Sequence, residues 1–324
     1  MNYQDTFRDL AMIAAPSGFE TPVIDYIEAQ ARKTASDIRR DALGNLIVHR
    51  PGTGARVLLS THVDTAGFIV TFRDEKGFYR FGLLGKAEPA SLVGLPVRTA
   101  GGARGVIGCD GGVAAKDLQL RHLYIDVTSG ELRIGDACVA ALPTHTDGDR
   151  FVSPALDGRA GCVAALDVLA RVAGQHPSTL PQDKTADLYV VFSVQQKLGE
   201  RGAGAVAFTV EPDIAIALEL TEAGDTPECE NRSAVRLGGG PALPVRVGSS
   251  PANLELLESL EQKAAFPVQR TVDLHGQTDL GKLSVSRAGV RACVIGIPAR
   301  RYGYMGVACQ KDIAEAADLA LAAL

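Results

Sequence analysis

The sequence has no tryptophan, aromatic residues make up only 5% of it, and its six cysteines are scattered without a CxxC pair. So few aromatic residues argue against a surface that stacks nucleic-acid bases. Scattered cysteines in a chain of this length indicate reduced thiols rather than a disulfide framework. We therefore expect a protein of a reducing compartment, the cytoplasm.

Long apolar runs and clusters of basic residues are also missing. No apolar run reaches the roughly 18 residues that a membrane-spanning helix needs. The 33 basic and 38 acidic residues give a net charge of −5 with no basic block, which excludes a nucleic-acid surface and an anionic-membrane binder. The N-terminal MNYQDTFRDL carries charge where a signal peptide needs an apolar stretch. A soluble globular protein is predicted, with no nucleic-acid or membrane partner.

Helical and strand-like segments alternate along much of the chain. Residues 16–18 (PSG) separate two predicted N-terminal helices. Short apolar runs between Gly and Pro predict buried strands at 46–48, 57–59, 188–194, 214–220 and 291–297. Helical periodicity predicts further helices at 159–172, 254–265 and 312–324. The alternation predicts an α/β fold with a mostly parallel sheet flanked by helices.

Residues 68–154 have a different pattern of predicted secondary structure. Short β-like pieces dominate this stretch, with a hairpin predicted around residues 74–77, and glycine is dense from 101 to 112. The pattern indicates a small β-rich module inserted into an α/β domain that comprises residues 1–67 plus 155–324.

Polar side chains follow several predicted strands. His62 and Asp64 follow VLLST, Asp157 precedes a helix, and Glu219 closes IAIALEL. Sites in open α/β sheets lie at the carboxyl ends of strands, and one imidazole nitrogen can bind a metal while a carboxylate holds the other. Together these donors suit a divalent ion. Simpler readings stay open: a turn pair at residues 62–64, a helix cap at Asp157 and a solvated Glu219.

Ordered motifs along nearly the whole chain carry a family resemblance. They include STHVDTAGFIV (60–70), ALDGRAGC (155–162), VQQKLGERGA (194–203), GQTDLG (276–281) and IPARRY (297–302). In these motifs the chain resembles the tetrahedral and glutamyl aminopeptidases of metallopeptidase family 42, cytosolic enzymes with two metal ions. The resemblance implies a zinc-aminopeptidase-like α/β domain interrupted by a β-rich dimerisation domain. It also implies a homo-oligomer, either a dimer or a dodecamer built from dimers.

The resemblance also assigns roles to residues. It places the first metal on His62, on Asp157 as the bridging ligand, and on Glu219, where the family normally has Asp. It makes Asp64 the carboxylate that orients His62. Asp279 matches a segment near the family's substrate pocket, although it could equally cap the helix that follows.

Three positions depart from the family pattern. Gln196 stands at the general-base position, and Lys197 and Tyr304 stand at second-metal ligand positions. A carboxamide does not accept a proton at neutral pH, and an ammonium repels a dication. The phenol would have to ionise from a pKa near 10 to bind a metal. We therefore expect no second metal, and expect Lys197 to face Asp157 in its place.

Three functional hypotheses follow. The first is a catalytically impaired or silent peptidase-like protein that acts as a binding, scaffold or regulatory subunit, with a peptide or small molecule as the ligand of its cleft. The second is an active hydrolase of the aminopeptidase class, with a single zinc or cobalt at His62, Asp157 and Glu219 and with Glu200 or Glu222 as base. The third is ordinary aminopeptidase activity despite the substitutions. The cofactor prediction is accordingly no metal or one divalent metal, not two.

Overall fold

A computed structural model describes residues 1–174, 186–227 and 233–324. The helices of this described part are α1 (Tyr3–Met12), α2 (Thr21–Ala31), α3 (Leu156–Gly174), α4 (Arg201–Val210), α5 (Leu254–Lys263), α6 (Leu280–Leu283) and α7 (Gln310–Ala322). The predicted N-terminal helix pair is confirmed, with the break between α1 and α2 at the PSG segment. The predicted helices near 159, 254 and 312 correspond to α3, α5 and α7.

A large sheet lies at the centre of the molecule. Its strands are β1 (Asp37–Arg40), β2 (Leu46–Arg50), β3 (Arg56–His62), β10 (His145–Asp147), β11 (Arg150–Ser153), β12 (Asp187–Ser193), β13 (Ile214–Glu222), β14 (Ala242–Val247), β15 (Ser250–Pro251), β16 (Gln269–Asp273), β17 (Arg291–Tyr302) and β18 (Met305–Cys309). The main path runs β1-β2-β12-β3-β13-β17-β18-β11-β10, and β14 joins it beside β17 together with β15 and β16.

The sheet is mixed, so the prediction of a mostly parallel sheet is not confirmed. The four central strands β12, β3, β13 and β17 run parallel. The flanking pairs β1/β2, β2/β12, β17/β18, β18/β11 and β11/β10 are antiparallel. Helical crossovers impose parallel pairing only on the strands they connect, whereas short connections such as that between β17 and β18 permit antiparallel pairs.

Helices cover both faces of the sheet, as predicted. On one face α1, α2, α3, α5 and α7 enclose the largest apolar cluster, which contains Phe7, Ile27, Val163 and Phe192. On the other face a smaller cluster joins α4 and α6 to the sheet through Val206 and Leu280. Covering on both faces explains why the central strands are almost continuously apolar.

A closed barrel occupies the middle of the chain. Its strands are β4 (Gly67–Arg73), β5 (Tyr79–Leu84), β6 (Pro96–Thr99), β7 (Arg104–Cys109), β8 (Leu123–Ser129) and β9 (Ala137–Ala140), in the order β4-β5-β8-β7-β6-β9. The predicted hairpin around residues 74–77 joins β4 to β5 and is confirmed. The last two strands of the 68–154 stretch, β10 and β11, instead extend the large sheet.

Across the described parts of the chain, no helix combines the length and the apolar character needed to cross a membrane.

Candidate active site

Parallel pairing brings the ends of β3, β12 and β13 to one edge of the sheet. Ser193 at the end of β12 pairs with His62 at the end of β3. On the other side of β3, Ala217 pairs with Ser60, so Glu219, two residues further along β13, lies level with His62. Residues distant in the sequence thus meet at the carboxyl ends of neighbouring strands, where open α/β sheets hold their sites.

Asp157 reaches this edge through a kink at the start of α3. Its backbone is extended (φ −67°, ψ 127°), and Gly158 has φ +83° before the regular helix begins. A Cβ built on Gly158 would lie 2.8 Å from the carbonyl oxygen of Asp64 and 3.1 Å from the ring of His62. The kink therefore requires glycine at this position, because only glycine combines this φ with so close an approach.

His62 is buried between two aspartates. Its Nε2 lies 3.2 Å from Asp157 Oδ1, and its Nδ1 lies 3.0 Å from the backbone oxygen of Asp64 and 3.3 Å from Asp64 Oδ1. Burial and the charge of Lys197 lower the pKa of His62, but the hydrogen bonds to the two aspartates outweigh both and raise it to about 10. Burial raises the pKa of Asp64, yet His62 and Lys197 bring it down to about 2.

The second carboxylate oxygen of Asp157 forms an ion pair with Lys197. Lys197 Nζ lies 2.7 Å from Asp157 Oδ2, and an Arg301 guanidinium nitrogen lies 3.7 Å from the same oxygen. Burial raises the pKa of Asp157, whereas the charges of Lys197 and Arg301 and the contact with His62 hold it well below its usual range. Fixed cations of the chain thus balance this carboxylate, as the sequence predicted for Lys197.

Asp64 holds the loop that presents Gln196 and Lys197. Its two carboxylate oxygens accept the backbone N–H groups of Gln196 (3.1 Å) and Lys197 (2.9 Å). Gln195 adopts a left-handed backbone (φ 59°) and donates its N–H to Glu20 at 2.8 Å. A non-glycine residue in this conformation costs free energy, and these contacts offset that cost.

The side chain of Gln196 is almost fully buried. Its Nε2 donates to the carbonyl oxygen of Gln277 at 2.8 Å, which fixes the amide. Its Oε1 has no hydrogen-bond partner within the described residues. At the position to which the family resemblance assigns the general base, the amide is therefore a donor to the backbone rather than a proton acceptor.

Glu219 and Asp279 form a second buried acidic group. The backbone N–H of Asp279 donates to Glu219 Oε1 at 2.6 Å, and Asp279 Oδ2 accepts from the hydroxyls of Ser60 (2.6 Å) and Ser193 (2.8 Å). Burial is the main cause that raises the pKa of both carboxyls, and the nearby Asp279 adds to it for Glu219. Asp279 lies beneath the cleft wall and precedes α6, while Thr278 reaches the cleft itself.

Tyr304 belongs to the packing between the two parts of the molecule. Its ring packs against the barrel core with its centroid 5.6 Å from that of Phe68. Burial raises the pKa of the phenol, so the ring is held as neutral tyrosine. This environment disfavours the phenolate that metal binding would require.

A cavity of about 480 Å³ opens over these groups. Asp157, Gln196, Lys197 and Tyr304 line it, and so does Glu222. Glu200, the other base considered from the sequence, is buried just ahead of α4, and burial raises its pKa. The volume suits a small molecule or one end of a peptide.

Sequence reasoning missed the residues that support the site. Ser60 and Ser193 hold Asp279, and each is a hydroxyl residue near the end of an otherwise apolar strand, which is the signal that could have found them. Arg159 is fully buried and donates to the backbone carbonyls of Leu10 (3.0 Å), Ile13 (3.2 Å) and Val63, which belong to two segments far from it in the sequence. It ties α1 and α3 to the loop after His62.

The donor set does not fit a dinuclear metal centre. Among the described residues, no group of three or more His, Cys, Asp or Glu side chains is arranged to hold a metal ion. The positions at which the family resemblance places second-metal ligands carry Lys197 and Tyr304. The ammonium of Lys197 is itself bound to the carboxylate that would bridge the two metals, at 2.7 Å.

The α/β domain with its inserted barrel and a polar cleft at the strand ends matches the fold of solved aminopeptidase structures. The M42 glutamyl aminopeptidase family model matches residues 44–319. The chain therefore belongs to the M42 glutamyl aminopeptidase family, whose members are typically dinuclear metal enzymes.

Relatives match along most of their length. The lysyl aminopeptidase of Pyrococcus furiosus is 29% identical over 94% of this chain and 89% of its own. The structure of an aminopeptidase from the archaeon Desulfurococcus kamchatkensis is 30% identical, with a TM-score of 0.89 over 99% of this chain and 93% of the other. The TET1 peptidase of Pyrococcus horikoshii shares the fold at 22% identity, with a TM-score of 0.85 over 99% and 98% of the two chains. That protein can assemble into a tetrahedron or a large octahedral shell.

Proposed function

We propose that this chain is a member of the M42 family that has lost ordinary aminopeptidase activity and keeps its cleft to bind a peptide or small molecule. The ion pair between Lys197 and Asp157 carries the proposal, with its nitrogen–oxygen distance of 2.7 Å. A single fixed ammonium here replaces part of the positive charge that a bridging metal pair supplies. The partly buried Asp157 is then balanced by the chain itself.

Gln196 supports the proposal independently. A general base must accept a proton from water, and a carboxamide has no basic lone pair at neutral pH. The Gln196 amide is also fixed by its hydrogen bond to Gln277, so it is built into the cleft wall. Proton transfer by a positioned base typically contributes about 10²–10⁴ in rate. Loss of the base and of the second metal together leaves little hydrolytic capacity.

A mononuclear hydrolase is the second candidate. His62 Nε2 and Asp157 Oδ1 lie 3.2 Å apart, and Glu219 on the neighbouring strand β13 is level with His62. Zinc or cobalt bound by these three side chains would supply an acidified water, but binding requires the side chains to rearrange, because in the described structure they are not arranged to hold a metal ion. Glu222 lines the cleft and would be the base in this case.

Metal stoichiometry tests the proposal. The purified chain is incubated with zinc or cobalt, desalted and submitted to elemental analysis, in parallel with a variant that restores the family's donors, Gln196→Glu/Lys197→Glu/Tyr304→His. We expect substantially less than one ion per wild-type chain and a clear gain in the restored variant. Lys76→Glu, on an exposed hairpin, controls for added negative charge.

Each result decides between the hypotheses. Two ions per wild-type chain would overturn the proposal and restore an ordinary aminopeptidase. One ion that is lost in His62→Ala but kept in His145→Ala, an exposed histidine, would replace the proposal by the mononuclear hydrolase. Absence of bound metal together with no hydrolysis of tri-alanine in the wild type would support it.

Assembly and location are part of the same proposal. We infer a homo-oligomer, a dimer or a dodecamer, with residues 68–154 as the inserted dimerisation domain and residues 1–67 plus 155–324 as the peptidase-like domain. The TET1 assemblies named above support the homo-oligomer. Reduced cysteines support a cytoplasmic protein: none of the described ones, Cys109, Cys138, Cys162, Cys293 and Cys309, is in a disulfide.

A further inference from the structure

A second cavity of about 400 Å³ lies between the end of α1 and the barrel. It adjoins the candidate active site, because Thr65, Ala66, Pro154 and Tyr304 line both. Most of its wall is apolar and comes from the residues after α1, from β9 and from the segment that follows β9. None of the side chains described so far as site residues lines it except Tyr304.

Two arginines supply all the charge of this cavity. Arg98 and Arg104 line it, and no aspartate or glutamate belongs to its described wall. The two residues are directly opposite each other in the antiparallel pair β6/β7, which places both side chains on one face of the barrel. Like charges in such a cross-strand pair are destabilising unless an anion lies between or beside them.

Neither arginine forms an ion pair within the described residues. Arg98 is half-buried, and the hydrogen bond it makes runs from Nη2 to the carbonyl oxygen of Met12 at 2.7 Å. Burial and the charge of Arg104 lower the pKa of Arg98, which is the direction expected for a guanidinium without a counterion. The cavity therefore combines an apolar wall with two guanidinium groups whose positive charges have no counterion among the described residues.

We propose that this cavity binds a small monocarboxylate with an apolar body, whose carboxylate lies against Arg98 and Arg104. Guanidinium groups match the two oxygens of a carboxylate bidentately, and the ligand's charge relieves the repulsion between the arginines. The apolar body occupies the wall formed by Met12, Val139 and Leu142. The cavity volume limits the ligand to a small molecule.

Isothermal titration calorimetry with butanoate, hexanoate and octanoate tests this site on the full chain. We expect affinity to rise about fourfold per added methylene along the series, because each methylene leaves water for the apolar wall. Hexanamide, which has the same body without the charge, should bind at least roughly tenfold more weakly than hexanoate. Met12→Ser, at an exposed side chain, should flatten the dependence on chain length without abolishing binding.

Arginine variants locate the carboxylate. Arg104 is exposed, so we expect Arg104→Gln to preserve the fold. This variant should weaken hexanoate binding roughly tenfold. Arg98→Gln should do the same, with circular dichroism as the check on its folding. Arg133→Gln, an exposed arginine elsewhere on the barrel, should leave hexanoate binding unchanged.

Several outcomes would overturn the proposal. Equal binding of hexanamide and hexanoate would remove the role of the arginines, and equal binding of inorganic phosphate and hexanoate would leave a general anion site without an apolar body. No binding of any of the acids would refute the site. No binding combined with a change of oligomeric state in Arg104→Gln, measured by sedimentation, would make this face an interface between copies of the chain.

Discussion

Replacing Lys197 by methionine isolates the contribution of the cation that faces Asp157. The substitution keeps the length and apolar stem of the side chain but leaves Asp157 with His62 and the more distant Arg301. At the observed 2.7 Å between Lys197 Nζ and Asp157 Oδ2, two unit charges attract by about 6 kcal/mol at an effective dielectric constant of about 20. Desolvation of both ions offsets a large part of this attraction.

The exposure of the pair sets the expected net effect. The side chains of Lys197 and Asp157 are 17% and 28% exposed, between a surface pair and a fully buried one. Exposed pairs contribute less than about 1 kcal/mol, whereas removal of one partner of a buried pair costs about 3–5 kcal/mol. We expect Lys197→Met to lower the free energy of unfolding by about 2 kcal/mol.

Urea unfolding followed by far-ultraviolet circular dichroism measures the effect, since the chain has no tryptophan for fluorescence. A double-mutant cycle with Asp157→Asn separates the pair from other consequences of each substitution and should return a coupling of about 2 kcal/mol. Lys76→Met, on the exposed hairpin, is the matched control and should change stability by less than about 0.5 kcal/mol. A Lys197→Met result equal to that of the control would refute the idea that this cation balances the site.

Three further predictions test other parts of the structure. Arg159→Met should lower the free energy of unfolding by about 3 kcal/mol or more in urea, because three backbone carbonyl groups lose the hydrogen bond from the buried guanidinium. Cys138 and Cys162 should resist iodoacetamide at pH 8 in the native state, as read by peptide mapping, because burial raises the pKa of each thiol to about 12. Asp225→Asn should reduce the loss of stability that occurs as the pH falls below about 4. The hydrogen bond from Arg300 lowers the pKa of Asp225, so the carboxylate stabilises the fold above its unfolded pKa near 3.8 and that contribution disappears as the pH falls through the lowered value.

Each of these three predictions has a control residue within the same chain. Arg39→Met, at an exposed strand position, should be nearly neutral, and equal losses in Arg39→Met and Arg159→Met would contradict the assigned role of the buried guanidinium. Cys109 is less buried and should be labelled first; labelling of Cys162 at the same rate would mean that the core opens readily. Asp126→Asn, at an exposed aspartate, should leave the acid limb of the stability curve unchanged.

The sequence by itself determined most of the central strands, several helices and the family. Apolar runs between glycine and proline predicted the central strands, and helical spacing predicted α3, α5 and α7, because each pattern reports which face of a segment is buried. Local patterns do not encode pairing direction, so the mixed character of the sheet and the closure of the barrel came only from the structure. The helix α4, the short helix α6 and the strands β14 to β16 were not predicted from local patterns.

At the candidate site, the residue types alone predicted which chemical roles are lost. The tertiary structure decided which groups these residues contact. That an amide cannot act as base and an ammonium cannot bind a dication follows from the identities of Gln196 and Lys197. Which groups they meet depends on parallel pairing of β3, β12 and β13, on the kink at Gly158 and on the αL turn at Gln195. The uncompensated charges of Arg98 and Arg104 were likewise invisible in a sequence with a nearly balanced charge. Electrostatic compensation is a property of distances and burial, and the fold alone sets those.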